Sequence, residues 1–250
     1  MQDSLNKNAL IFGGASGIGW AAAQTMMERG AKVTIADVHR SSERNGAAQY
    51  IDCDVCEAEQ VCAAVRYATE RDPLDWLVYS TGIQRYGSVV DTSVEEYDLV
   101  QSINARGAFL ACRAAIPQMP RGGAIVLVSS VQALACQESV AAYAASKGTL
   151  EALTRAMAVD HAKDNIRVNA VLPGTVDTPM VRSSAKRFGG ADGLEQTLQQ
   201  WGESHPLGRV AHADEIANLI AFLLSDKASF ITGASYRADG GLLAQLAVRL

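Results

Sequence analysis

Short apolar runs alternate with segments of helical periodicity along the whole chain. Asn8-Ala-Leu-Ile-Phe12, apolar from Ala9 on, reads as a buried strand, and the stretch from Trp20 to Arg29 behind it reads as a helix. The same alternation recurs. Strands are expected at Ala31–Ala36, Gln49–Cys53, Asp75–Ser80, Ala124–Val128, Ile166–Leu172 and Ala234–Ala238. Helices are expected at Glu57–Arg71, across most of Val94–Met119, at Ala141–Ala162 and at Asp214–Leu224. In the last of these Ile216, Leu219, Ile220, Leu223 and Leu224 share one face. Strands that are apolar throughout belong to sheets covered on both sides. The pattern therefore predicts an α/β fold of Rossmann type, a doubly wound parallel sheet of about seven strands with helices on both faces. No linker-like or repeated segment divides residues 1–250, so a single domain is expected. A chain of 250 residues buries about 70 to 75% of its unfolded surface, which supports one large core.

Composition narrows the function classes. Hydrophobic residues make up 48% of the chain, yet no apolar stretch reaches the roughly 18 residues that span a bilayer, and no membrane partner is expected. Met1-Gln-Asp-Ser-Leu-Asn-Lys-Asn8 does not resemble an export signal, which points to a cytoplasmic protein. A net charge of -5 with no concentrated basic surface argues against nucleic acid. The five cysteines form no disulfide framework. Cys53-Asp-Val-Cys56 lacks the second pair or nearby histidines of a zinc site, so no metal is expected and the two thiols read as small residues ending a strand.

Candidate chemistry sits at the strand ends. Gly13-Gly-Ala-Ser-Gly17-Ile-Gly19 joins the first strand to the first helix, and glycines are needed where backbone turns tightly against a pyrophosphate facing a helix N-terminus. The spacing Gly-x-x-x-Gly-x-Gly departs from the Gly-x-Gly-x-x-Gly dinucleotide fingerprint. Asp37 ends the second strand, eighteen positions beyond Gly19, where a carboxylate accepts bonds from the adenosine ribose hydroxyls. A 2′-phosphate there meets like charge, costing on the order of 4 kcal/mol before screening, so NAD is the expected cofactor. His39 and Arg40 lie close enough to soften that repulsion. Tyr143 and Lys147 are four residues apart on one helix face, with Ser130 upstream. A positive charge roughly 4 Å from a phenol contributes about 4 kcal/mol at an effective dielectric near 20, nearly three pKa units, and the expectation is a phenol drawn toward working pH.

With these residues together, the sequence resembles the short-chain dehydrogenase/reductase family, whose nucleotide turn is Thr-Gly-x-x-x-Gly-x-Gly and whose catalytic set is Asn, Ser, Tyr and Lys. The likeness runs through Asp54-Val55, Gly82, Asn104, Ser130, Tyr143, Lys147 and Pro173-Gly-Thr-Val-Asp-Thr-Pro179. It implies one dinucleotide-binding catalytic domain with a substrate lid at about 179–206. It further implies an NAD-dependent oxidoreductase that interconverts a secondary alcohol and a ketone, so the partner is a small alcohol or carbonyl compound. Tyr143 would act as acid or base, Ser130 would hydrogen-bond the reacting oxygen, and Lys147 would hold the nicotinamide ribose and lower the Tyr143 pKa. Asn104 would retain a relay water. Ser129 is the rival to Ser130, but the thirteen-residue interval to Tyr143 matches the family at Ser130. Gly13, Ser16, Gly17, Ile18, Gly19, Asp37, Asp54, Val55, Ser80, Gly82, Pro173, Gly174, Val176 and Thr178 would contact the cofactor along with Tyr143 and Lys147.

Two positions depart from the family pattern. Phe12 stands where Thr is usual, and Tyr79-Ser-Thr-Gly82 replaces Asn-Asn-Ala-Gly, putting a phenol and hydroxyls where amides satisfy backbone groups. Gln84 and Gln132, with Ser130, are the candidate substrate contacts, and Arg85, Gln137, Arg182 and Arg187 add polar character beside Met180, Phe188 and Trp201. These favour a sugar, sugar acid, polyol or hydroxy acid. Gly189-Gly190 is a candidate lid hinge. His205 and His212 have no partner suggesting catalysis. An NADPH-preferring carbonyl reductase and a non-catalytic nucleotide-binding regulator stay open as alternatives, and a homotetramer is expected from the family.

Overall fold

The computed structural model describes residues 6–39, 48–120, 122–190 and 193–246. Arg40, invoked above beside Asp37, lies outside them. The chain runs β1 (Asn8–Phe12), α1 (Gly17–Glu28), β2 (Lys32–Asp37), β3 (Gln49–Asp52), α2 (Ala58–Thr69), β4 (Trp76–Tyr79), α3 (Val94–Gln101), α4 (Gly107–Ala115) and β5 (Ala124–Val128). It continues with α5 (Ala141–Asp160), β6 (Arg167–Pro173), α6 (Pro179–Gly189), α7 (Leu194–Glu203), α8 (Ala213–Leu224) and β7 (Ser235–Ala238). The seven strands form one parallel sheet in the order β3-β2-β1-β4-β5-β6-β7. The direction of winding reverses between β1 and β4, which opens a crevice at their carboxyl ends.

Alternate residues of the central strands feed two cores, as the period of two requires. Leu10, Phe12, Leu77, Tyr79, Ile125 and Leu127 pack beneath α2, α4 and α5. Ile11, Ile35, Val78 and Val126 pack on the other face under α1 and α8. The alanines of α1, Ala21 to Ala23, are buried, letting that helix lie close to the sheet and to α8. In α5 the buried residues Ala142, Tyr143, Ser146, Lys147, Leu150, Thr154 and Met157 recur at helical spacing, so packing turns the Tyr143/Lys147 face inward.

Strand and helix positions follow the sequence pattern to within a few residues, with two differences of substance. The helical stretch from Val94 to Met119 is interrupted by a π-helical turn at Ser102–Arg106. The 179–206 segment is a helical hairpin of α6 and α7, with Gly190 ending α6 at φ 73°, a conformation open to glycine. Among the described residues no helix is long and apolar enough to cross a membrane.

Candidate active site

A cleft of about 360 Å³ lies over the carboxyl ends of the strands, at the crevice between β1 and β4. It is lined by Gly13, Ser16, Gly17, Ile18, Asp37, Asp54, Val55, Ser80, Gly82, Ser130, Tyr143, Lys147, Pro173, Gly174, Val176 and Thr178. Gly19, Asn104, Gln84 and Gln132 stand outside that lining, so Gln84 and Gln132, expected as substrate contacts, are not among the cleft walls.

The glycine turn is shaped by close approach. Gly13 has φ 77°, and a Cβ there would stand 2.5 Å from the Thr81 amide nitrogen and 2.8 Å from the Ser80 carbonyl carbon. Gly19 packs on the Gly13 backbone so tightly that a Cβ would strike the Gly13 carbonyl oxygen. Gly17 (φ 53°) approaches Thr178, bringing the start of the α6 hairpin against the turn. Asp37 braces the same turn, its carboxylate accepting from the amides of Ala15 and His39, each at 3.0 Å. This bracing role was not read from sequence. The thiol of Cys53, which also lines the cleft, is pushed up to about 12 by burial, away from a reactive thiolate.

At the other end of the cleft Tyr143 and Lys147 are 7% and 4% exposed. The Lys147 Nζ donates to the Val128 carbonyl at 2.8 Å and stands 5.5 Å from the Tyr143 ring centroid. Burial sets both acidities. It pushes the Tyr143 phenol up to about 12, partly offset by a hydrogen bond from Ser130, while Tyr86 opposes ionisation further. It pulls the Lys147 amine down from 10.5 to about 8. The expected lowering of the phenol by its cationic neighbour is therefore corrected: burial is the dominant influence on both groups, and it raises the phenol while lowering the amine. Ser129 is engaged elsewhere, donating to the Lys147 carbonyl at 3.0 Å.

Folding Lys147 against its ordinary proton affinity costs stability below pH 8, where the amine is charged in both states, and the cost fades as pH rises toward 10.5. The shift corresponds to about 3 kcal/mol, against about 1 kcal/mol for the bond to Val128. Lys147→Met is expected to raise the melting temperature by about 5 °C at pH 7, with the gain vanishing near pH 10.5, while turnover is lost. Calorimetry across that range, paired with activity, checks it; a variant less stable than wild type at pH 7 would remove the desolvation argument.

Asn104 is fully buried on the π-turn. Its Oδ1 accepts from the Ile83 amide at 2.8 Å, and its Nδ2 donates to the Ile83 carbonyl at 2.9 Å and to Ser146 Oγ at 3.0 Å. The side chain thus clamps the loop after β4 to α5. A Cβ on Gly82 would lie 3.4 Å from both Asn104 Oδ1 and Lys147 Nζ, so glycine leaves room between them. The turn itself is held by Tyr79, whose hydroxyl donates to the Ile103 carbonyl. That phenol ties β4 to the π-turn.

Arg182 does not face the cleft as a free cation. It grips Asp177 in a bidentate pair at 2.6 and 2.7 Å and reaches Glu195 at 3.1 Å, tying α6 to α7. His205 Nε2 accepts from the Thr175 amide at 3.1 Å, and its Nδ1 meets the Trp201 carbonyl at 2.9 Å. It fastens the hairpin to the loop after β6.

Comparison with known proteins decides the family. A family profile described as Enoyl-(Acyl carrier protein) reductase matches residues 13–243. The chain belongs to the short-chain dehydrogenase/reductase family. It is 39% identical to trans-4-hydroxycyclohexanecarboxylate dehydrogenase of Sinomonas cyclohexanicum, over 94% of this chain and 92% of that relative. It is 36% identical to 2-(S)-hydroxypropyl-CoM dehydrogenase 3 of Xanthobacter autotrophicus, over 96% and 97%. Among solved structures, the ligand-free aldohexose dehydrogenase of Thermoplasma acidophilum superposes with a TM-score of 0.96 at 34% identity, covering 100% of this chain and 99% of that one. The protein is thus an oxidoreductase of a family that uses nicotinamide cofactors.

Proposed function

We propose that this chain is an NAD-dependent dehydrogenase that interconverts a secondary alcohol and a ketone, and that residues 1–250 form one catalytic domain with the α6–α7 hairpin as its lid. The observation that carries this reading is the convergence of Ser130, Tyr143 and Lys147 with the glycine turn and Asp37 in one cleft. The residues present fit a dinucleotide. Gly13, Ser16 and Gly17 line the cleft where α1 begins, Ser16 starts that helix without a side-chain cap bond, and Asp37 lines the cleft at the end of β2. Ile18, Asp54, Val55, Ser80, Gly82, Pro173, Gly174, Val176 and Thr178 complete the walls, and Gly19 supports the turn from behind. Bound there, a nicotinamide supplies the hydride acceptor or donor.

The chain's own groups handle the proton. Tyr143 takes it from the carbinol oxygen in oxidation and returns it in reduction, and Ser130 hydrogen-bonds that oxygen as charge develops. Lys147 orients the ribose end and passes protons through the region that Asn104 closes off. By their names the relatives act on trans-4-hydroxycyclohexanecarboxylate, 2-(S)-hydroxypropyl-CoM and an aldohexose, so secondary alcohols, sugars, polyols and hydroxy acids form the assay panel. It includes cyclohexanol, 4-hydroxycyclohexanecarboxylate and the neutral 4-hydroxycyclohexanecarboxamide. Nicotinamide absorbance at 340 nm is the readout, and no turnover anywhere in a broad panel would defeat the reading.

Asp37 favours NAD over NADP. Isothermal titration is expected to give NADH at least about a hundredfold tighter than NADPH, the unscreened repulsion being reduced by solvent, with Asp37→Asn narrowing the gap. A clear NADPH preference would favour the carbonyl-reductase alternative. The five cysteines are free, which supports a reducing, cytoplasmic setting. Exposed Tyr97, Leu99, Phe109 and Val159 on α3, α4 and α5 support assembly into a homotetramer. Light scattering at micromolar concentration is expected to report four chains, and a monomer would reject this.

A further inference from the structure

Among the described residues, an arginine on α6 lies against an aromatic ring without a carboxylate partner. Arg187 lies near the end of α6 with its guanidinium carbon 5.0 Å from the Tyr86 ring centroid. Tyr86 meets Phe188 edge to face at 4.9 Å, and Phe188 meets Trp201 at 6.4 Å, so the arginine is braced on an aromatic shelf spanning the loop after β4, α6 and α7. Among the described residues no carboxylate pairs with it, although the chain carries a net charge of -5. The contrast with Arg182 and Arg209 is direct: each has a bidentate carboxylate.

The shelf is also fastened to the catalytic helix. Gly87 bridges to Val140, its amide donating to the Ser139 carbonyl at 2.8 Å while the Ala141 amide donates to the Gly87 carbonyl at 3.3 Å. Tyr86 is therefore held beside the first turn of α5, where Tyr143 sits, and it lies near enough to oppose ionisation of that phenol. Ile83, Met180 and Val181, from the same loop after β4 and the same helix α6 that carry the shelf, are apolar members of the cleft lining. A guanidinium held over the Tyr86 ring, on the loop and helix that also line the cleft, is suited to bidentate recognition of a carboxylate.

Resting on the dehydrogenase reading above, we infer that Arg187, held on Tyr86, recognises a carboxylate carried by the substrate, which is thus a hydroxy acid whose carbinol and acid groups are separated by an apolar ring or chain. Stacking on Tyr86 restricts the arginine before binding and lessens the entropy lost when the anion docks. The aromatic shelf supplies the contact for the ring or chain.

The test uses 4-hydroxycyclohexanecarboxylate and 4-hydroxycyclohexanecarboxamide, one shape with and without charge, on the wild type and on Arg187→Gln, Arg187→Lys and Lys186→Gln. Wild type is expected to prefer the acid by about tenfold or more in kcat/KM, the scale of one charged hydrogen bond. Arg187→Gln should erase the preference through KM with kcat held, Arg187→Lys should retain part of it, and Lys186→Gln, removing a neighbouring charge, should retain all. The acid's KM should rise with ionic strength and the amide's should not. A second readout needs no turnover: unreactive cyclohexanecarboxylate should perturb Trp201 fluorescence in wild type, and not in Arg187→Gln, with cyclohexanecarboxamide inert in both. Turnover of both alcohols without acid preference, or a preference that survives Arg187→Gln, overturns the Arg187 assignment and leaves the dehydrogenase reading intact. Carboxylate binding lost in Arg187→Gln, with no alcohol oxidised by wild type, overturns the dehydrogenase reading and keeps the anion site.

Discussion

Tyr143→Phe is expected to lower hydride-transfer turnover by about a hundred- to ten-thousandfold while NADH affinity changes by less than about threefold. The substitution deletes one oxygen from a buried ring, so the fold and the cleft walls persist and the loss falls on proton exchange. The wild-type profile carries the complementary sign. Because burial pushes the phenol up to about 12, the basic form needed for alcohol oxidation is scarce at neutral pH, and oxidation should climb through the alkaline range. Ketone reduction, which draws on the protonated phenol, should stay nearly flat over the same range. Stopped-flow absorbance and NADH fluorescence titration measure the two quantities separately. Turnover retained in Tyr143→Phe on a substrate the wild type oxidises would move the proton chemistry to another group.

Gly13→Ala is expected to be nearly as damaging, by a different route. The new methyl would meet backbone of Ser80 and Thr81 at 2.5 to 2.8 Å, on a residue whose φ of 77° already disfavours any side chain. Neither clash is relieved by a rotamer change, since both partners are main chain. The left-handed conformation costs about 1–2 kcal/mol and the overpacking a similar amount or somewhat more, so about 3 kcal/mol is expected, or a melting temperature lower by about 6–12 °C. The loop after β4 and the glycine turn must also part, which misplaces two walls of the nucleotide cleft. Calorimetry with NADH titration tests this; a variant that melts and binds like wild type would mean the turn relaxes freely.

Much of this was legible in the chain because it depends on local pattern. Apolar runs place β1, β4 and β5, and strand ends then bring Gly13, Asp37, Gly82, Ser130 and Pro173 to one edge, whatever the details of packing. The Tyr143/Lys147 spacing likewise needs only a helix. What escaped the sequence depends on contacts between distant segments. The π-turn at Ser102–Arg106 shifts the hydrogen-bonding register, and its carbonyl partner, Tyr79, arrives from another strand. The acidity of Tyr143 ran opposite to expectation because charge spacing is local whereas desolvation is set by everything packed around the pair. Arg182, a candidate for substrate contact by composition, is taken by Asp177 and Glu195 once the hairpin folds.

The fit between Tyr79 and Gly107 limits how this protein can be redesigned. A methyl at 107 would collide with the Tyr79 hydroxyl and stand 3.0 Å from Val55. A smaller amide at 79 would leave a void beside that glycine and remove the hydroxyl that bonds the Ile103 carbonyl. Positions 79 and 107 therefore behave as one unit, and libraries or consensus designs that vary them independently will discard viable pairs while sampling mostly broken ones.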